Sequence, residues 1–343
     1  MKTHPKGIYT LANDNVIDQL IALLNSIEAN YSKTIPICVI PYDDNIKKVK
    51  EEIGKRKNVF LFDDKNSIRY WEDFAIKAWE LNKNAKEQWK KHDIKVINRL
   101  NEHRKFCIFD GPFRTFVFFD SDILVMNSLD KIFKSLKKFD LVIYDFQHKD
   151  PSHVYNMRFK NLYNIFSKDS IAKQIFCTGF FATKKQIFGK YNRNSILRKL
   201  RKEAEILYPW SADQPLLNYI VMKSNWSVCN YTFKLPENQT TGNAVVSKHF
   251  TEKNHILYDK GNRLTYLHYI RVPYDLFPRV CAGENLDFPY RDIFLYYRFM
   301  KEPDKMPVFK GKPKPYGQKS LQQILMTKFR NLKHKLLKII TQK

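Results

Sequence analysis

Short apolar runs alternate with longer segments of helical spacing through the first half of the chain. Gly7–Leu11 reads as a strand. Asn13-Asp14-Asn15 then offers helix caps, and Val16, Leu20, Leu23, Leu24 and Ile27 share one helical face. Ile35–Ile40 is a second strand, ended by Pro41-Tyr42-Asp43-Asp44; Ile46–Lys57 is a charged helix; Val59–Phe62 is a third strand, ended by Asp63-Asp64. This β-α-β-α-β order predicts an α/β protein with a parallel sheet and crossover helices. Residues 66–105 have a basic, helical composition around Trp71, Trp79 and Trp89. After Gly111-Pro112 come the strand Thr115–Phe119, a helix beginning at Ser128–Phe133, and the strand Leu141–Tyr144, ended by Asp145. Ile175–Thr183 reads as a strand interrupted by Gly179, where a backbone can approach a ligand closely. Residues 185–207 are helical and charged. Ala212-Asp213-Gln214-Pro215 opens a helix to about Met222, with proline in its first turn.

The most informative feature is Phe118-Phe119-Asp120-Ser121-Asp122, where an apolar run stops at two acids. A buried strand ending in paired carboxylates puts them at the carboxyl edge of a sheet, where open α/β folds bind ligands. In extended chain Asp120 and Asp122 face one side; in a turn both can reach one cation. Oxygen ligands suit Mg or Mn. The alternative is a strand end with two solvated acids.

Hydrophobic residues make up 43% of the 343, so the chain can bury a large core; 26 Phe against 10 Gly excludes collagen-like and linker classes. The net charge of +25 is uneven: residues 301–343 hold twelve Lys/Arg against Glu302 and Asp304. Such a balance suits nucleic acid, anionic membrane or phosphorylated ligands, and also arises from compositional bias. The five cysteines are odd in number, widely spaced and without a CxxC pair, and read as reduced core residues. Met1–Gly7 lacks an apolar signal-peptide core and no run of 18 apolar residues occurs. The expected location is therefore cytoplasmic, and the sequons at Asn225, Asn230 and Asn238 are read as chance.

Residues 301–318 are expected to be a Lys/Pro-rich linker between a domain over 1–300 and a helix over 319–343. In that last segment Leu321, Ile324, Leu325, Phe329, Leu332, Leu336 and Ile339 share a face, and Lys328, Arg330, Lys333, Lys335 and Lys338 cover much of the rest. The pattern suits a peripheral seat on the inner, anionic face of a membrane, or docking on protein.

The strand ending in Asp-x-Asp resembles the DxD motif of GT-A nucleotide-sugar transferases. Val125-Met126-Asn127-Ser128-Leu129, Cys177-Thr178-Gly179-Phe180-Phe181, Ala212-Asp213-Gln214 and Leu267-His268-Tyr269 resemble, in order, segments of glycogenin-like retaining transferases. The resemblance spans roughly residues 7–275. A nearer likeness is to bacterial sugar-transferase-like proteins containing YDFQHKDPSHVY (144–155) and LYDKGNRLTYLHY (257–269). It implies a GT-A fold, Rossmann-like with a mostly parallel sheet, and transfer of a sugar from a nucleotide-diphosphate sugar, a UDP-sugar foremost, to a glycan, lipid or protein. It further implies Asp120, Asp122 and His268 on Mn or Mg, with that cation stabilising the leaving diphosphate. Thr10, Leu11, Ala12 and Asn13 would cup the base. Asp120 and Ser121 would face the nucleotide, with Gly179 against the donor. Asp145, Asp213 and Gln214 would contact sugar or acceptor, Asp145 being otherwise a turn residue and Asp213 a helix cap. His268 could equally be a core histidine. Two departures stand out. No lysine follows His268 through a glycine to hold the diphosphate, so Arg271 is the nearest cation, with Lys260 and Arg263 upstream. Pro215 replaces the acid expected after Asp213-Gln214.

Two other classes compete. Haloacid-dehalogenase-like phosphatases also carry strand-Asp-x-Asp, with Asp120 then the nucleophile and Asp122 the acid/base. That motif lies in their first strand, whereas three strands precede it here. A basic nucleic-acid binder would account for the charge, but no RRM, zinc-finger or helix-turn-helix signature accompanies it.

Overall fold

The computed structural model describes residues 3–316; the expected helix at 319–343 lies outside them. The central sheet has seven strands: β1 (His4–Ala12), β2 (Ile37–Pro41), β3 (Val59–Leu61), β4 (Phe113–Asp120), then, past a short β5 (Ile123–Val125), β6 (Leu141–Ile143), β7 (Phe180–Lys184) and β8 (Val228–Asn230). Their order is β3-β2-β1-β4-β7-β6-β8. Every pairing is parallel except the two made by β7, which runs antiparallel to β4 and β6. The expected parallel half, β1 to β3, is present, with crossover helices Ile17–Asn30 and Lys47–Gly54.

Strand alternation divides the core between the two faces. Tyr9, Leu11, Phe116 and Phe118 pack under the helices Lys65–Glu80 and Lys83–Lys90. Ile8, Ala12, Val117 and Phe119 pack on the opposite helices. The helical reading of 66–105 is corrected in its second half: α-helix ends at Lys90, and a 3₁₀ segment, Leu100–Phe109, enters from Arg99 at φ +49°. Trp71, Trp79 and Trp89 are all buried there.

The strand expected over Ile175–Thr183 begins only at Phe180. The amides before it are taken by side chains: Phe176 N–H donates to Asn218 Oδ1 (2.9 Å), Cys177 N–H to Asp145 Oδ2 (3.2 Å) and Thr178 N–H to Gln214 Oε1 (3.3 Å). An amide so engaged cannot join a ladder. Residues 176–179 therefore form a loop against the sheet edge.

The later chain builds a third apolar cluster beside the sheet. Beside it, β9 (Thr251–Lys253), β10 (Ile256–Asp259) and β11 (Asn262–Arg263) form an antiparallel meander that contributes Leu257 of β10 to the cluster. Its two-residue turns are Asn254-His255 (φ +51° and +60°) and Lys260-Gly261 (φ +50° and +77°), the left-handed pairs that tight hairpins require. Next, β12 (Tyr266–His268) pairs antiparallel with β5, His268 opposite Ile123. Within 301–316, Lys314–Pro315 pairs with Leu286–Asp287. No helix among the described residues is long and apolar enough to cross a membrane.

Candidate active site

Asp120 ends β4 at the carboxyl edge of the sheet, opposite Leu11 of β1, and its N–H donates to Gly179 O (2.8 Å). The chain turns at Ser121-Asp122, the second of the two geometries expected of the pair. After the turn, β5 is clamped by β12, which brings His268 back to the acids across nearly 150 residues of sequence. One donor atom each of Asp120, Asp122 and His268 lies within 4.8 Å of the others, and His268 Nε2 is 3.3 Å from Asp122 Oδ1. Two carboxylates and an imidazole converging on a point suit a divalent ion such as Mn or Mg.

Gly179 faces this triad. A Cβ there would sit 2.6 Å from His268 Cε1 and 3.1 Å from Asp120 Oδ2, so a side chain would crowd both ligating residues.

The electrostatics are coupled. Burial raises the Asp120 carboxyl above its ordinary range, and the Asp122 charge adds to this against the pull of Lys105. Burial also works against the Asp122 carboxylate, yet His268 outweighs it and holds that carboxyl low. Burial alone would lower His268, but the Asp122 charge lifts it well above the usual imidazole range. A bound cation would replace the imidazolium proton as the charge balancing the two acids.

Lys105, which sequence reasoning missed, forms the floor of the site. Its side chain is 1% exposed, with Nζ 3.2 Å from Asp120 Oδ1 and 3.1 Å from Asp213 Oδ2. The ammonium also donates to Thr178 O (3.2 Å) and lies 4.7 Å from the centre of the Phe118 ring. Burial would neutralise it, but Asp120, Asp213 and Glu102 together keep it charged. Apart from this ion pair, Asp213 Oδ2 is buried with no further polar partner. Asp213 does not cap its helix (Asp213–Lys223). Ala212 occupies the cap at φ +46°, ψ −115°, a conformation costly for a residue with a Cβ, and turns Asp213 inward.

A cleft of about 1010 Å³ opens from the triad. Asp120, Asp145, Gly179, Asp213, Gln214, His268 and Arg271 line it, as do Lys105 and Lys260. Asp145 is buried and accepts from Gln147 N–H (2.8 Å) and Cys177 N–H (3.2 Å); Gln214 holds Thr178 as above. Arg271 is exposed at the wall, at φ +68°. Cys177 lines the cleft rather than the core, correcting one of the five cysteine assignments; all five are free. Thr10, Leu11 and Ala12 end β1 at the same sheet edge and Asn13 follows as the cap of the next turn; none of the four lines this cleft. Thr10 is fully buried, with its hydroxyl unpartnered. Asn13 accepts from Asn15 N–H (3.1 Å) and donates to Asp43 Oδ2 (2.7 Å). Arg263 reaches Asn30 Oδ1 (2.8 Å) and is not among the cleft residues.

The sequence matches no family model and no curated protein. Its fold is the GT-A fold. The structure of the bifunctional glycosyltransferase WbbM aligns with 88% of this chain at 14% identity and a TM-score of 0.53. This chain spans about half of that structure, 52%. Weaker likenesses are to the galactosyltransferase LgtC in complex with donor and acceptor sugar analogues (12% identity, TM-score 0.46, 84% of this chain and 99% of that one) and to mouse xyloside xylosyltransferase 1 (10%, 0.46, 66% and 85%).

Proposed function

We propose that this protein is a metal-dependent glycosyltransferase that moves a sugar from a nucleotide-diphosphate sugar, a UDP-sugar foremost, to a glycan, lipid or protein acceptor. The observation that carries this reading is the meeting of Asp120, Asp122 and His268 at the carboxyl edge of the sheet, at the head of a cleft large enough for a nucleotide-sugar. Mn or Mg held by these three residues would supply positive charge to the diphosphate as its bond to the anomeric carbon breaks. Lys105 holds Asp120 and Asp213 in place. Asp145 and Gln214 fix the 176–179 loop that walls the donor side, and Arg271 is the exposed cation nearest in sequence to His268. Thr10–Asn13 and Ser121 remain the proposed nucleotide side of the same edge.

The phosphatase reading asks Asp120 to be a nucleophile at the end of a first strand; here it ends the fourth and is paired with a buried lysine. The nucleic-acid reading has only the net charge behind it. We extend the proposal to a cytoplasmic, membrane-peripheral location through residues 319–343, whose removal is expected to lower binding to anionic vesicles.

The test is a nucleotide-sugar hydrolysis panel with Mn or Mg, an EDTA control and Asp122→Ala. Metal-dependent release of one nucleotide diphosphate, lost in the folded variant, is the expected result. Near-normal turnover by that variant would sink the mechanism.

A further inference from the structure

Of the five tryptophans, Trp71, Trp79, Trp89 and Trp226 are at most 5% exposed. Trp210 is left partly open: it packs against the core and also lines the cleft. Its ring is held in place. The indole N–H donates to Gln88 Oε1 (2.8 Å), and the His92 ring stands nearly perpendicular to it, 5.0 Å away. The backbone on either side is held too. Pro209 O accepts from the buried Trp89 Nε1–H (3.0 Å) and from Asn98 Nδ2 (3.4 Å), and Gln214 N–H donates to Ser211 O (3.1 Å). A ring fixed in this way loses little freedom when a ligand packs on it.

Trp210 is also close to the triad. It precedes Asp213 by three residues, so their Cα atoms are at most roughly 11 Å apart. The Lys105 ammonium then joins Asp213 to Asp120. On its other side Trp210 lines a second recess, of about 400 Å³, with Gln88, Lys91 and His92. The indole thus stands between the cleft and this recess.

The surroundings select the ligand. The indole is one apolar ring in a polar frame. Asn98 ties Pro209 to the start of the 3₁₀ segment, where Arg99 and Glu102 pair at 3.2 Å on the cleft wall. An acyl chain needs continuous apolar lining, which these charges interrupt. A sugar ring offers an apolar C–H face to the indole and a rim of hydroxyls to guanidinium, carboxylate and amide groups. Phe146 also lines the cleft, but Lys149 Nζ lies 4.8 Å from its ring centre and occupies that face. The base of the donor is proposed at Thr10–Asn13, outside this cleft, so the indole is not its seat.

We propose that the acceptor is an oligosaccharide that crosses Trp210. One sugar stacks on the indole with its accepting hydroxyl toward the triad, and the next sits in the recess of Gln88, Lys91 and His92. This deepens the sugar-transfer reading and rests on it.

The test uses the full chain with Mn, the donor found by the panel above, and an array of neutral di- to tetrasaccharides. Because the other four tryptophans are buried, acrylamide quenching of the intrinsic fluorescence reports on Trp210. At least one oligosaccharide is expected to shield it and to speed nucleotide diphosphate release over that with water alone. Trp210→Leu, which keeps apolar bulk without a ring face, is expected to raise the KM for that oligosaccharide by about tenfold or more. Trp210→Phe is expected to recover most of the loss. Four results overturn the inference and leave the sugar-transfer reading standing: a wild-type KM in Trp210→Leu, a Phe variant as poor as the Leu variant, shielding of Trp210 by the nucleotide alone, or an array on which no oligosaccharide speeds release. No nucleotide diphosphate released by wild type from any donor removes both.

Discussion

Lys105 and Asp120 form an ion pair of 3.2 Å in which the lysine is buried and the acid sits at the cleft. The same ammonium faces Asp213. One buried cation thus orders an acid of the proposed cation site and an acid of the cleft wall. Lys105→Met would leave Asp213 buried without a countercharge, so a loss of roughly 3–5 kcal/mol of stability is expected, read from urea denaturation. Lys105→Met with Asp213→Asn should recover part of it. A double variant as unstable as the sum of the singles would show that the pair is not coupled.

Gly179→Ala probes the contact between the 176–179 loop and the triad. The new Cβ would lie 2.6 Å from His268 Cε1, so the ring or the strand must move. Overpacking of this kind costs about 1–3 kcal/mol. The expected signature is a drop of tenfold or more in Mn affinity by calorimetry. Unchanged affinity would mean that His268 moves freely and takes no part in holding the ion.

Cation binding itself has a readout independent of turnover. A ligand that binds only the folded state adds about 2.7 kcal/mol at a hundred times its Kd. Mn should therefore raise the melting temperature of wild type, and Asp122→Ala should abolish the rise while melting near wild type in EDTA. An equal rise in both proteins would place the cation elsewhere.

Much of this was legible in the chain. Alternation of short apolar runs with helical spacing is a local property, and β1 to β4 with their crossovers followed from it. The place of Asp120 and Asp122 followed from the strand they end. What failed was non-local. The strand β5 is only Ile123–Val125 and exists because β12 pairs with it, so the geometry that delivers His268 has no local signal. The loop at 176–179 has strand-like residues, but Asp145, Gln214 and Asn218, each distant in sequence, capture its amides. Lys105 is one of 60 Lys and Arg. Only its place beside the apolar Phe106-Cys107-Ile108-Phe109 hinted at burial.

Asp145 gives the protein a pH dependence with a defined sign. Burial raises its carboxyl from 3.8 to about 7, against the hydrogen bonds from Gln147 and Cys177. Between these values the folded state holds a proton that the unfolded chain has released. Stability from this group is therefore full below about pH 4 and is lost as the pH rises through about 7. The shift corresponds to on the order of 4 kcal/mol. Asp145→Asn cannot titrate, so its melting temperature in EDTA should fall less than that of wild type between about pH 5 and 8. Parallel curves would mean that Asp145 is already ionised across this range, its charge carried by the two backbone amides. The cleft would then hold a permanent carboxylate beside the donor wall rather than one that gains its charge near neutrality.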